Sequence, residues 1–384
     1  MTFLRAAMAA LIGLAASDAG AQDITLTSHD GKVEVLGTLL GYDGEFYRLD
    51  TQFGELTIDG SGVTCDGPAC PNLIDYVAEV RFSGSPVMAE TLLPALIDGF
   101  AAQENLTVIR EIGAAGEPVL TLHQADRQAA LARFHIQSSD TGRGFDDLVA
   151  STADIVLAQR EIRPSELEAA EAAGLGDLSR PRRSRVLALD AIVPVVSADN
   201  PIQQISPTNL VRVFAGEITN WTELGGPDAP IALHLPPVGS GLAQAIEDQL
   251  LAPADAVLAN DVRRHNHVRA MIRAVSNDPF AIGIGSRAGI EESRALPLAG
   301  GCGHALTATR QSVKTEDYPL TSPMFLYLPP HRLPRIARQF LAYTQSPAAQ
   351  MVIRQAGLVD QEPETLRIGL QGDRLANAIA SGGA

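Results

Sequence analysis

The sequence predicts an α/β protein preceded by a small all-β unit. From Tyr76 onward, apolar strand-like runs alternate with stretches of helical spacing, the pattern of layered α/β proteins with largely parallel sheets. Residues 23–71 instead show short alternating runs separated by glycine turns. Ahead of both lies a leader: Arg5, the apolar run Ala6 to Ala16, and Ala19-Gly20-Ala21, a small-x-small cleavage pattern. Residues 1–21 are therefore expected to be a signal peptide, and the mature chain to reside in the periplasm.

The β unit, assigned to residues 23–73, is expected to be a small barrel or meander. Lys32 to Leu40 alternates, Gly41-Tyr42-Asp43-Gly44 turns, and Phe46 to Asp50 and Leu56 to Ile58 read as short strands. A core this thin benefits from a staple. Cys65 and Cys70 bracket a turn-forming stretch in an oxidising compartment, and a disulfide between them is expected. Cys302 is left over and reads as a buried thiol.

Beyond Tyr76, Val77 to Phe82 and Thr107 to Ile112 read as strands and Ala89 to Ala102 as a helix. Phe145 to Ser151 and Pro164 to Ala173 are helical, and Leu187 to Val196 is an apolar strand of the buried kind. Three Gly/Ser/Thr-rich turns stand before helices. They are Ser83-Gly84-Ser85-Pro86-Val87-Met88, Ser138 through Gly144 ahead of the Phe145 helix, and Val238-Gly239-Ser240-Gly241 ahead of Leu242 to Leu250. A helix N-terminus offers unpaired N–H groups and a partial positive charge, glycine permits close approach, and hydroxyls add donors. Each such turn can donate to an oxyanion, or can be an ordinary cap.

The net charge of −16 and the 5% aromatic content argue against nucleic acid as a partner. They do not exclude a small anion, because salt screens distant charge within about 8–10 Å. No catalytic residue is assigned, since no serine sits in a Gly-x-Ser-x-Gly elbow. No cofactor or metal is expected: His265-Asn266-His267 lacks further ligands nearby in sequence.

Ala188 through Val196 with Asp199-Asn200-Pro201-Ile202, then Leu210 and Val213-Phe214-Ala215-Gly216-Glu217-Ile218-Thr219-Asn220-Trp221, carry a resemblance. So do Asn277-Asp278-Pro279-Phe280-Ala281-Ile282-Gly283, Asp317-Tyr318-Pro319-Leu320 and Ser346 through Val359. In this order they resemble the phosphate-type solute-binding proteins of ABC importers. The resemblance implies a two-lobed type II periplasmic-binding-protein fold over residues 76–362. Lobe one would take about 76–190 plus the segment from about 316, lobe two about 191–315, leaving 363–384 as a tail. It implies a non-enzymatic protein that holds a small anion, phosphate or a related oxyanion, or a polar solute, and meets an ABC permease.

By the same resemblance the ligand-facing positions are Ser85, Pro86 and Val87, then Thr141 and Gly142, then Gln159, then Ser240 and Gly241, and Arg143 and Arg160 join the candidate set because they flank the second of these regions. The chain departs from the family pattern at four of its positions. Pro86 and Leu242 stand where threonine hydroxyls are expected, Pro236 stands for an arginine, and Gln159 for an anion-facing aspartate. Proline has no N–H to donate. Arg143 and Arg160 are the cations that could compensate. A cell-envelope interaction or sensory protein with an altered or vestigial cleft is the alternative, favoured by the N-terminal β unit.

Overall fold

The computed structural model describes residues 23–73, 75–124, 129–290, 293–300 and 304–363. The expected leader, Cys302 and residues 364–384 of the tail lie outside the described residues. The chain forms two compact units, one ending at Tyr76 and one beginning at Val77.

The first unit contains β1 (Asp23–Ser28), β2 (Glu34–Tyr42), β3 (Phe46–Thr51), β4 (Gly54–Asp59) and β5 (Val63–Asp66). They form one antiparallel sheet in the order β4-β3-β2-β1-β5. The edge strands β4 and β5 are joined only by the 3-10 turn Gly60–Gly62. A link that short cannot cross a flat sheet of five strands, whose neighbours lie about 4.8 Å apart. The sheet therefore curls toward a barrel, around Ile24, Leu26, Tyr47 and Leu49. Cys65 and Cys70 pack against that core and are joined by a disulfide.

Closing so short a loop stabilises by about 2 kcal/mol in the chain-entropy account, a large share of what four buried side chains can supply. Reduction is expected to make residues 23–73 protease-sensitive while fragments of the second unit persist. Equal digestion of the first unit with and without reductant, followed by gel and mass spectrometry, would contradict this.

The second unit runs β6 (Ala78–Gly84), a π-type turn at Met88–Leu92 continuing as α1 (Leu93–Gln103), β7 (Leu106–Ile112), β8 (Pro118–Gln124), β9 (Ala130–Ser138), α2 (Thr141–Val149), β10 (Ile155–Ala158), α3 (Pro164–Ala172) and β11 (Ser184–Val196). There follow α4 (Pro207–Phe214), β12 (Ala232–Leu235), α5 (Gly241–Ile246) with a π-type turn at Glu247–Leu251, β13 (Arg263–Arg264), α6 (Val268–Ser276), β14 (Ala281–Ser286), β15 (Arg294–Ala295), β16 (Leu298–Ala299) and β17 (Ala305–Leu306). The unit closes with α7 (Arg310–Lys314), β18 (Thr321–Tyr327), α8 (Arg335–Tyr343) and α9 (Pro347–Gln355).

Among the described residues one sheet connects both halves of this unit, in the order β13-β12-β14-β11-β18-β10-β6-β9-β8-β7. β11 is the joint. Its residues 184–191 pair with β18, and residues 192–196 pair with β14. On one side of the joint Phe82 of β6 and Phe134 of β9 pack with Phe100 of α1 and Phe340 and Tyr343 of α8, the rings edge to face or tilted. On the other, Leu210, Phe214, Trp221, Ile272 and Ile282 form a second core. The Trp221 indole N–H, buried there, donates to the Phe280 carbonyl at 2.9 Å.

Two expectations need correction. The sheet is mixed rather than largely parallel: β6 runs parallel to β9 and β10, and β12 to β13 and β14, but β7-β8-β9 and β10-β18-β11 are antiparallel. The seven-residue β7 and β8 are joined by a turn over 113–117, too short for the helical crossover a parallel pair needs. Second, α2 starts at Thr141 rather than Phe145. The Asp140 carboxylate accepts from the Arg143 N–H at 2.9 Å, which fixes the N-cap ahead of Thr141.

Candidate functional site

The end of β10 and the residues after it, 157–160, form the point on which the three turns meet. At the first turn, the Ser85 N–H donates to the Leu157 carbonyl at 2.8 Å. Gly84 makes that approach possible: its φ is +135°, and a Cβ there would lie 2.2 Å from the Leu157 oxygen. At the second turn, the Gln159 N–H donates to the Thr141 hydroxyl oxygen at 3.2 Å. At the third, a Cβ built on Gly241 would lie 2.5 Å from Gln159 Oε1 and 3.1 Å from its Cβ. The Gln159 side chain therefore lies against the start of α5, on the other side of the β11 joint from β10.

The polar groups at this junction divide into those already satisfied and those not. The Ser240 hydroxyl is satisfied, donating to the Pro237 carbonyl at 2.8 Å and capping Ala243 at 3.2 Å. Thr141 accepts from Gln159 and keeps its own proton to donate. Ser85 differs from the expected cap. Its carbonyl accepts from the Ala89 N–H at 2.8 Å, while its hydroxyl, fully buried, has no hydrogen-bond partner. Gln159 is 5% exposed, and its carboxamide makes no hydrogen bond among the described residues. Pro86 and Val87 follow Ser85 in the first helical turn and add no side-chain polar group.

The two candidate cations part company. Arg143 is 63% exposed at its side chain and pairs with Asp147 at 2.9 Å along α2. Arg160, 3% exposed, is fully engaged: Nη1 and Nη2 donate to the two Glu166 oxygens at 2.8 and 2.7 Å, Nη1 also donates to the Glu161 carbonyl, and Nε donates to Gln244 Oε1 at 2.9 Å. Beside it, Arg163 Nη2 reaches both oxygens of Asp248 at 2.8 and 3.0 Å. Gln244 and Asp248 lie on the α5 side of the joint, so these residues bridge the two halves. Sequence spacing did not identify Glu166, Gln244 or Asp248; an acidic residue six positions after Arg160 is the faint signal that precedes the pair.

Two buried titratable features flank the site. Asp190, on β11 at the joint, is pushed above the usual carboxylate range by burial, against hydrogen bonds from Ser286 and the Ala191 N–H. His234, on the strand leading to the Ser240 turn, stacks on His265 with Nδ1 2.9 Å from its Nε2. Burial, the neighbouring His265 and Arg263 hold His234 below the ordinary imidazole range, opposed by Asp278; burial and Arg263 do the same to His265. An unfolded histidine takes up a proton near pH 6.5, while these resist it. Their contribution to stability is thus present above that pH and lost as pH falls through the lower folded values. The melting temperature is expected to drop as the pH falls below about 6.5, and the drop to shrink in His234→Leu; an unchanged pH profile in that variant would contradict the assignment.

His265 is thus paired with another histidine, and among the described residues no group of three or more His, Cys, Asp or Glu could hold a metal ion. No helix among them is long and apolar enough to cross a membrane.

Comparison with known proteins bears on this geometry. The chain is 27% identical over 201 residues to the protein SphX of Synechococcus elongatus, a match covering 50% of this chain and 58% of that protein. The chain thus spans less than two thirds of that relative's length. In fold it is similar to a substrate-binding protein assigned to a phosphate ABC transporter of Clostridium perfringens, solved with phosphate bound (TM-score 0.57, 20% identity, covering 74% of this chain and 100% of that one). It is also similar to an ABC-type phosphate transport receptor of Vibrio cholerae (TM-score 0.56, 19% identity, 74% and 100% covered). The α/β, two-lobed architecture behind an all-β unit therefore stands as the sequence implied. A family model described as the PBP superfamily domain matches residues 77–348, and with that match across most of its length the chain belongs to the PBP superfamily.

Proposed function

We propose that this chain is a periplasmic, non-enzymatic solute-binding protein that holds a small anion or polar solute between two lobes and presents it to an ABC permease. Lobe one would comprise about 76–190 and the segment from about 316, lobe two about 191–315, with β11 as one of the strands between them. The ligand would meet Ser85, Thr141, Gly142, Gln159 and Gly241, with Arg160 behind them. Similarity to proteins named for phosphate binding or phosphate transport supports the class of ligand.

The observation that carries this reading is the Ser85 hydroxyl, buried at the junction without a hydrogen-bond partner. A buried polar group without a partner costs about 1–3 kcal/mol. Such a cost persists where a ligand uses the group. Ser85→Ala is therefore expected to raise stability by about 1 kcal/mol in urea denaturation and to weaken solute binding. Calorimetry of wild type and Ser85→Ala over phosphate, sulfate, phosphonates, small carboxylates and neutral polyols tests it. No heat with any of them in the wild type would favour an envelope-interaction or sensory role instead. Leu36 and Phe53, exposed on the β unit, are what favours that second role.

A further inference from the structure

Around the first turn of α2 the charges do not favour a free anion. The point where a Cβ on Gly142 would sit is 3.2 Å from Asp140 Oδ1, 3.6 Å from Glu166 Oε1 and 3.7 Å from Arg160 Nη2. Two carboxylates and one guanidinium thus face the same spot. Arg160 is the cation nearest the junction, and Glu166 takes both of its terminal nitrogens in a bidentate pair. Arg143 and Arg163 are matched by Asp147 and Asp248. Asp140, which caps α2, has no counter-charge among these groups and occupies the end of the helix where an anion would otherwise gain from the helix dipole. Ser85 Oγ, buried without a partner, and the neighbouring Gln159 carboxamide each both donate and accept.

We infer that Glu166, assisted by Asp140, determines the ligand class: the site takes an uncharged hydrogen-bonding solute, such as a polyol or amide, in preference to a fully ionised oxyanion. This rests on the interlobe site proposed above. Glu166 acts by removing the charge of Arg160 from the ligand's reach, and Asp140 by repelling a second negative charge. Neither carboxylate needs to touch the ligand.

Replacing Glu166 with glutamine keeps one acceptor for Arg160 and releases its charge. A charge-assisted hydrogen bond gained by an anion corresponds to roughly a 10- to 100-fold change in affinity. The experiment is calorimetry with inorganic phosphate and with sulfate, at low ionic strength, on the wild-type chain, Glu166→Gln and Asp140→Asn. Asparagine is as good an N-cap as aspartate, so the second variant keeps the fold if the first does not. The wild type is expected to bind both anions weakly. Glu166→Gln should bind them at least about 10-fold more tightly, and Asp140→Asn should shift the same way by less. Tight phosphate or sulfate binding by the wild type, or no gain in a folded variant, overturns the inference. Those results leave the site itself standing wherever wild-type binding of any solute weakens in Ser85→Ala. Solute binding indifferent to Ser85→Ala would remove the site and the inference with it.

Discussion

Gly84→Ala should destroy the folded form of the unit that begins at Val77, or cost it more than about 4 kcal/mol. The backbone at Gly84 has φ of +135°, which an L side chain rarely adopts, and a Cβ there would stand 2.2 Å from the Leu157 carbonyl oxygen. The obstacle is main chain, so no rotamer relieves it. Giving way means parting β6 from β10 where they pair, and the Gly84 carbonyl also accepts from the Ser139 N–H at 2.8 Å. Gly239→Ala is the control: its φ of +76° is also positive, but a Cβ there meets nothing within 4 Å. It should cost only the left-handed strain, about 1–2 kcal/mol. Urea denaturation followed by circular dichroism separates the two. Equal, small losses in both variants would show that the tight β6–β10 contact is absent.

Arg160→Ala is the second large effect, at about 3–5 kcal/mol. The loss would come less from the Coulomb attraction than from what remains. Glu166, with 15% of its side chain exposed, would keep a carboxylate with its guanidinium partner removed, and Gln244 Oε1 and the Glu161 carbonyl would each lose a donor. Arg160→Ala with Glu166→Ala should recover much of the stability, because the unpaired buried charge goes with the second change. Arg143→Ala, at an exposed ion pair, should change stability by less than about 1 kcal/mol. The same denaturation curves distinguish a buried structural pair from a surface one.

The fold was legible in the sequence because its signals are local. The β2 alternation, the apolar run of β11 and the Val213 to Trp221 segment each carry their pattern in consecutive residues. The antiparallel β8 and β9 went unread, although Ala132, Phe134 and Ile136 alternate as a half-buried strand should. Their pairing depends on a turn and on register, neither of which periodicity encodes. At the site, the three turns could be picked out one by one. That they meet at residues 157–160 depends on sheet order, and Ser85 looked like a cap because a serine before a proline-led helix usually is one. Arg160 was found, but its partner Glu166 sits in the first turn of α3, and only the loop from β10 to α3 returns it to the guanidinium. Ion pairs closed by a loop leave no periodic trace.

The junction across β11 can be measured directly in the double variant Gln159→Cys with Gly241→Cys, made in a background with Cys302→Ser and the Cys65–Cys70 disulfide retained. The Cβ of residue 159 and a Cβ built at residue 241 are 3.1 Å apart, close to the roughly 3.5–4.5 Å of disulfides, so a small adjustment suffices. Mild oxidation should join the two introduced thiols rapidly and almost completely, as read by peptide mapping without reductant. If both thiols instead remain free to alkylate after prolonged oxidation of the folded protein, the helix starts do not converge there, and the site assembled from them does not exist.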